Sequence, residues 1–133
     1  MKENHTVICF LRHEGKILIL RRSSKVRYYH GKWNGVSGYI EEGENPDQTA
    51  VKEVQEETGL EGKILAIGEV VEIPDEAIGI KWMTHPYLFE VDTEEIKMDW
   101  EHTEFKWVIP EEITNYDCVP KLKEALEKVW KRK

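Results

Sequence analysis

GYIEEGENPDQTAVKEVQEETGL, residues 38–60, gathers six glutamates into one loop and the helix that follows it. Asn45 is placed to cap that helix, Pro46 suits its first position, Gln48 stands at capping-box spacing and Gly59 follows as a stop. At about 100° per residue, Glu53, Glu56 and Glu57 share an arc of about 100°, with Val51, Val54 and Thr58 as an apolar stripe on the adjoining side. Such a helix is expected to bury one side on a sheet and project carboxylates from the other. Like charges at these spacings cost about a few tenths of a kcal/mol per pair on an isolated helix. A hard divalent cation, which takes oxygen ligands, would turn that repulsion into coordination. A solvated acidic face is the plainer alternative.

On the N-terminal side of this stretch the charge reverses: RRSSKVRYYHGK, residues 21–32, carries five Lys or Arg and no acid. Further out, His5–Arg12 and Lys16–Arg22 read as two strands joined by HEG, and WNGVSGYI (33–40) as a Gly-punctuated loop with a short strand. After the acidic helix, KILAIGEVVEI, IKWMTHPYLFEV and EFKWVI read as strands. PKLKEALEKVWKRK closes the chain as an amphipathic helix, with Leu122, Ala125, Leu126 and Val129 at helical spacing. That order predicts a mixed α/β domain with helices packed on a sheet.

The 133 residues suit one domain, and 40% apolar with 34% charged residues fits an ordinary globular chain. The longest apolar runs, VICFL and ILIL, are strand-sized and far below the ~20 residues of a membrane span. MKENHTVICFLRH lacks the pattern of a secretory signal, and Cys9 and Cys118 form no CxxC pair, so a cytoplasmic protein with inert thiols is expected. A net charge of −7 argues against stable nucleic-acid binding. It permits a phosphorylated small molecule if a cation stands between acid and phosphate. The five histidines show no HExxH or other zinc spacing, and no Ser or Cys lies in a nucleophile motif.

Gly38, Glu44, Lys52-Glu53, Val54, Glu56-Glu57, Gly59 and Leu60 resemble the Nudix box, G-x(5)-E-x(7)-R-E-U-x-E-E-x-G-U with U a bulky aliphatic. Only the Arg differs, being Lys52 here. GKW before the box, EFKWV ahead of a PEE turn, and the final helix extend the resemblance over nearly the whole chain. It implies an α/β fold, the Nudix-type α/β/α sandwich around a mixed β-sheet. It also implies hydrolysis of a phosphoanhydride in a nucleoside diphosphate-linked substrate, with Mg2+ or alternatively Mn2+.

Carried over residue by residue, the resemblance makes Glu53, Glu56 and Glu57 metal ligands, with the Gly38 carbonyl as an additional one. Glu53, Glu101 and Glu104 are the candidates for the base that takes a proton from water. Lys52 stands where the family uses an Arg to hold a catalytic Glu by a forked pair of hydrogen bonds, a geometry an ammonium does not reproduce. VSG at 36–38 replaces the Pro-Gly-Gly of many relatives. Arg22 is the leading phosphate-binding candidate, with Arg27 and Lys32 behind it, and Trp33, Trp82 and Tyr87 offer faces to a base or to the core. Nucleoside triphosphates and their damaged forms come ahead of nucleotide sugars and dinucleotides as substrates. The alternative is a catalytically weakened Nudix-fold binding or regulatory module. A homodimer is an expectation by analogy with such domains.

Overall fold

A computed structural model of the chain describes residues 1–130. Its elements in order are β1 (Lys2–His13), β2 (Lys16–Arg22), β3 (Trp33–Asn34), β4 (Val36–Tyr39), α1 (Pro46–Thr58), β5 (Lys63–Ile67), β6 (Val71–Asp75), β7 (Ile80–Glu90), β8 (His102–Val108), a 3-10 turn (Pro110–Asn115) and α2 (Leu122–Glu127). They form one eight-stranded mixed sheet with the path β3-β2-β1-β7-β5, on which β4 pairs with β1, β6 with β7 and β8 with β2. β1 and β7 run parallel through the centre, from Lys2 opposite Ile80 to Arg12 opposite Glu90. The expected α/β architecture is therefore the observed one.

Alternation along the central strands sends their side chains to two cores. Val7, Cys9 and Leu11 of β1 pack with Tyr87 and Phe89 of β7 under Ala50 and Val54 of α1. Ile8 and Phe10 face the other way, with Leu88, toward Leu122, Ala125 and Leu126 of α2 and Ile113 of the 3-10 turn. Glu14 and Gly15, both at positive φ, make the tight turn between β1 and β2.

The fold departs from the sequence expectation in three places. KILAIGEVVEI is two strands, because β6 pairs with Ile80–Thr84 and β5 with Tyr87–Glu90 of the same neighbour. Pro86 lies between these stretches and has no amide hydrogen to give. Gly68 crosses at that point, its amide donating to the Pro86 carbonyl (3.0 Å), so close that a Cβ would lie 3.0 Å from Pro86 Cγ. The closing helix is also shorter than expected, since Lys121 in the left-handed region (φ 60°) delays its start. Part of that predicted helix, residues 131–133, lies outside the described residues. WNGVSGYI, finally, is two short strands that cross from β2 to β1. Among the described residues, no helix is long and apolar enough to cross a membrane.

Candidate functional site

α1 positions the acidic residues. Asn45 Oδ1 accepts from the Asp47 amide (2.8 Å), Pro46 opens the helix, and Gly59 ends it in the left-handed conformation with its amide on Gln55 O (2.8 Å). The loop before it is tied by Glu44, which accepts from the Glu41 amide (2.9 Å), the Thr49 hydroxyl (3.2 Å) and Lys52 Nζ (3.1 Å). Those contacts hold the Glu44 carboxyl below its ordinary range. Lys52 thus pairs with Glu44, and that hydrogen bond raises its pKa.

The buried face of α1 is Thr49, Ala50, Val54, Glu57 and Thr58, while Val51, placed in the apolar stripe by the helical projection, is 45% exposed. Glu57 therefore points into the protein, Glu53 is half-buried and Glu56 is exposed. Carboxylate oxygens of Glu53, Glu57 and Glu101 lie within 4.8 Å of one another. Glu56 is outside this group, and Glu104 is exposed and held by Arg21 (2.8 Å).

Burial dominates the electrostatics. Glu57, 1% exposed, is pushed well above the usual carboxylate range by burial and by the Glu101 and Glu53 charges. Among the described residues its buried Oε2 meets no hydrogen-bond donor, and its carboxyl group lies against that of Glu53. Glu53 is raised by burial, and Glu101 is pushed up to about 7 by burial, then by Asp99 and Glu53, against the opposing charge of Arg22. His102 is lowered by burial, with Asp99 opposing. Three acids that resist ionisation, packed together where Glu53 and Glu101 line a cleft and Glu57 lies buried beside them, are a poor solution for stability and a good one for binding positive charge.

The cleft has a volume of about 510 Å3. Glu53, Glu101 and Gly38 line it, together with the basic Arg22, Lys25, Arg27 and Lys52. Arg22 is steadied by donating from Nε to the Tyr28 carbonyl (3.0 Å). Arg27 lies over the Tyr28 ring, 5.4 Å from its centroid. Lys32 is directed elsewhere, into an ion pair with Asp117 (2.8 Å), and does not line the cleft. An aromatic wall completes it: Tyr28, Tyr29, Tyr39 and Trp82, with Trp82 Nε1 donating to Tyr29 Oη (2.9 Å) and Tyr29 in turn to Asp75 (2.7 Å). Trp33 and Tyr87 are core residues; the Tyr87 hydroxyl donates to Asp47 (2.6 Å).

Sequence reasoning missed Asp99, His102, Lys25 and the three tyrosines. Lys25 and the tyrosines had a signal, lying in or beside the basic segment and the Gly-rich crossing, whereas nothing in DWEH marks Asp99 and His102.

A family model described as NUDIX domain matches residues 2–129. A CTP pyrophosphohydrolase of Escherichia coli (strain K12) is 28% identical over 121 residues, 90% of this chain and 86% of that protein. Among solved structures, a NUDIX hydrolase from Nitrosomonas europaea is similar with TM-score 0.80 at 22% identity, over 96% of this chain and 88% of the other. The MutT protein from Methanosarcina mazei Go1 is similar with TM-score 0.79 at 27% identity, over 95% and 91%.

Proposed function

This chain belongs to the Nudix family, hydrolases of nucleotide anhydrides, and on that premise we propose that it cleaves a phosphoanhydride bond of a nucleoside triphosphate or its damaged form, using Mg2+ or Mn2+. The observation that carries the reading is the convergence of Glu53, Glu57 and Glu101, two of which, Glu53 and Glu101, line a cleft that Arg22, Lys25 and Arg27 also line. The substrate order is supported by the similarity to a CTP pyrophosphohydrolase, so CTP belongs in the first panel tested.

The residues fit a hard cation. The donor set is all oxygen, and among the described residues Glu57 Oε2 is a buried acceptor that no hydrogen-bond donor meets. Glu53 and Glu57 are the principal ligands in this reading, with the Gly38 carbonyl and the exposed Glu56 adding to the shell. When bound, the cation offsets the charge of the diphosphate and makes water more acidic. Arg22, Arg27 and Lys25 bind and orient the phosphates, and the aromatic wall takes the nucleoside. Glu101, in the cleft and adjoining Glu53, accepts the proton of the attacking water. Lys32 and Glu104 are left to their ion pairs.

A phosphate-release screen over nucleoside triphosphates, nucleotide sugars and dinucleotides, with and without Mg2+, tests the reading. Metal-dependent turnover is expected. Release that ignores the metal would sink the mechanism, and metal-dependent nucleotide binding without turnover of any substrate would mark a binding module.

Lys52→Arg is expected to keep or raise kcat, because the guanidinium can hold Glu44 by two hydrogen bonds where the ammonium has one. A large loss in steady-state rate would show a site rebuilt around Lys.

Glu101 also predicts a pH signature in the metal-free protein. Its folded pKa of about 7 exceeds the unfolded carboxylate value, so the native state binds more protons and loses stability as pH rises through that interval. Glu101→Gln should therefore match the wild type near pH 5 and melt a few degrees higher by about pH 8. Thermal denaturation across that range, giving a pH-independent difference, would refute it. Saturating Mg2+ should erase the advantage.

A further inference from the structure

Between β2 and β3 the chain leaves the sheet as a loop, residues 23–32, that adds Lys25, Arg27, Tyr28 and Tyr29 to the lining of the cleft. At its base the Arg22 amide donates to the Lys32 carbonyl (2.9 Å) and the Gly31 amide to the Arg22 carbonyl (2.8 Å). Further out the loop is tied to the sheet through Tyr29. Its hydroxyl donates to Asp75 Oδ2 on β6 (2.7 Å), 46 residues along the chain, and accepts from Trp82 Nε1 on β7 (2.9 Å). An indole N–H can only donate, so the single phenolic proton is left for Asp75. Burial and this bond raise the pKa of the Tyr29 phenol to about 12, which keeps it a donor throughout the neutral range. Tyr29 also stands in the left-handed region (φ 59°), a conformation that a bulky residue keeps only where surrounding contacts fix it.

What the bond fixes lies next to it in sequence. The Tyr28 ring packs edge-on against Trp82 (centroids 5.6 Å apart) and carries the Arg27 guanidinium over its face at 5.4 Å, while the Tyr28 carbonyl accepts from Arg22 Nε (3.0 Å). We propose that the Tyr29–Asp75 bond is a latch that holds this loop in the shape in which Lys25 and Arg27 meet the phosphates of the substrate. Asp75, itself outside the cleft lining, is then a positioning residue for substrate binding. The inference rests on the phosphate role proposed above for Arg27 and Lys25.

The test is calorimetric titration of the metal-free protein with inorganic tripolyphosphate, which separates the basic side chains from the cation site. It compares wild type with Asp75→Ala, Asp75→Asn, Tyr29→Phe, the Asp75→Ala/Tyr29→Phe double variant and Arg27→Ala. Asp75→Ala and Tyr29→Phe should each weaken tripolyphosphate roughly tenfold, the lower end of what a hydrogen bond to a charged group is worth. The direction is diagnostic, because removing the Asp75 charge would by long-range electrostatics alone strengthen a polyanion. The double variant should bind no more weakly than either single one, since both remove the same bond. Asp75→Asn, whose amide oxygen can accept from the phenol, should recover part of the loss. In steady state with CTP and Mg2+, Asp75→Ala should raise KM by the same factor and keep kcat within about twofold. Asp75→Ala also loses the bond from the Ala77 amide (3.2 Å), which Tyr29→Phe keeps, so the second variant decides should the first fail to fold. Wild-type or tighter affinity in folded Asp75→Ala or Tyr29→Phe, or additive losses in the double variant, removes the latch; with Arg27→Ala weakened, the phosphate site still stands. Wild-type affinity in Arg27→Ala, or no binding by the wild type, overturns the phosphate role of the loop and the inference with it.

Discussion

Glu57→Gln should lose metal-stimulated turnover by on the order of 10³-fold or more, beyond the roughly 10–100-fold expected for an outer partner, while melting at a higher temperature without metal. Both effects come from one carboxyl group. Buried at 1% exposure beside Glu53 and Glu101, it resists ionisation, and the charge a cation needs is the charge the apolar surroundings penalise. An amide of the same shape removes that penalty and the ligand together. Calorimetric melting of the metal-free proteins and a phosphate-release assay read the two effects separately. A variant both active and no more stable would mean that Glu57 neither holds metal nor stores strain.

Gly38→Ala should cost at least about 100-fold in kcat, the scale expected when a reacting group is displaced by roughly 1 Å, while leaving the fold intact. A Cβ on Gly38 would come within 2.7 Å of Glu53 Oε1 and closer still to its Cδ. The obstructed atoms belong to the movable end of a side chain, so Glu53 swings aside and the strand stays. The variant should therefore melt within a few degrees of wild type and bind Mn2+ weakly. Wild-type turnover would show that the position of Glu53 carries no catalytic weight.

The limits of α1 were legible because caps are local: Asn45, Pro46 and Gly59 act within one turn of themselves. So were β1, β2, β7 and the burial of Leu122 and Ala125, where periodicity repeats often enough to register. Which side of α1 meets the sheet was less legible. Val51 and Glu57 change places relative to the hydrophobic projection, because an acid at the buried edge of a helix violates the rule that the projection applies. Asp99 and His102 stand over forty residues from the helix they approach, and their placement depends on the β2–β8 pairing, with its irregularity between Arg21 and Arg22. Arg22 was singled out from its place at a strand end, and it lines the cleft. Lys32 had an equal claim by charge, and only the position of Asp117 shows where it is directed.

The break opposite Pro86 also bears on how this protein meets other copies of itself. β5 and β6 form the open margin of the sheet beyond β7, and Leu65, Ile67 and Val70 are exposed there. A long uninterrupted margin of that kind would template intermolecular strand pairing. Gly68 divides it into two five-residue pieces, and Pro74 withdraws a donor from the second. An approaching strand therefore finds no continuous ladder, and the same proline that splits a strand works as a safeguard against aggregation.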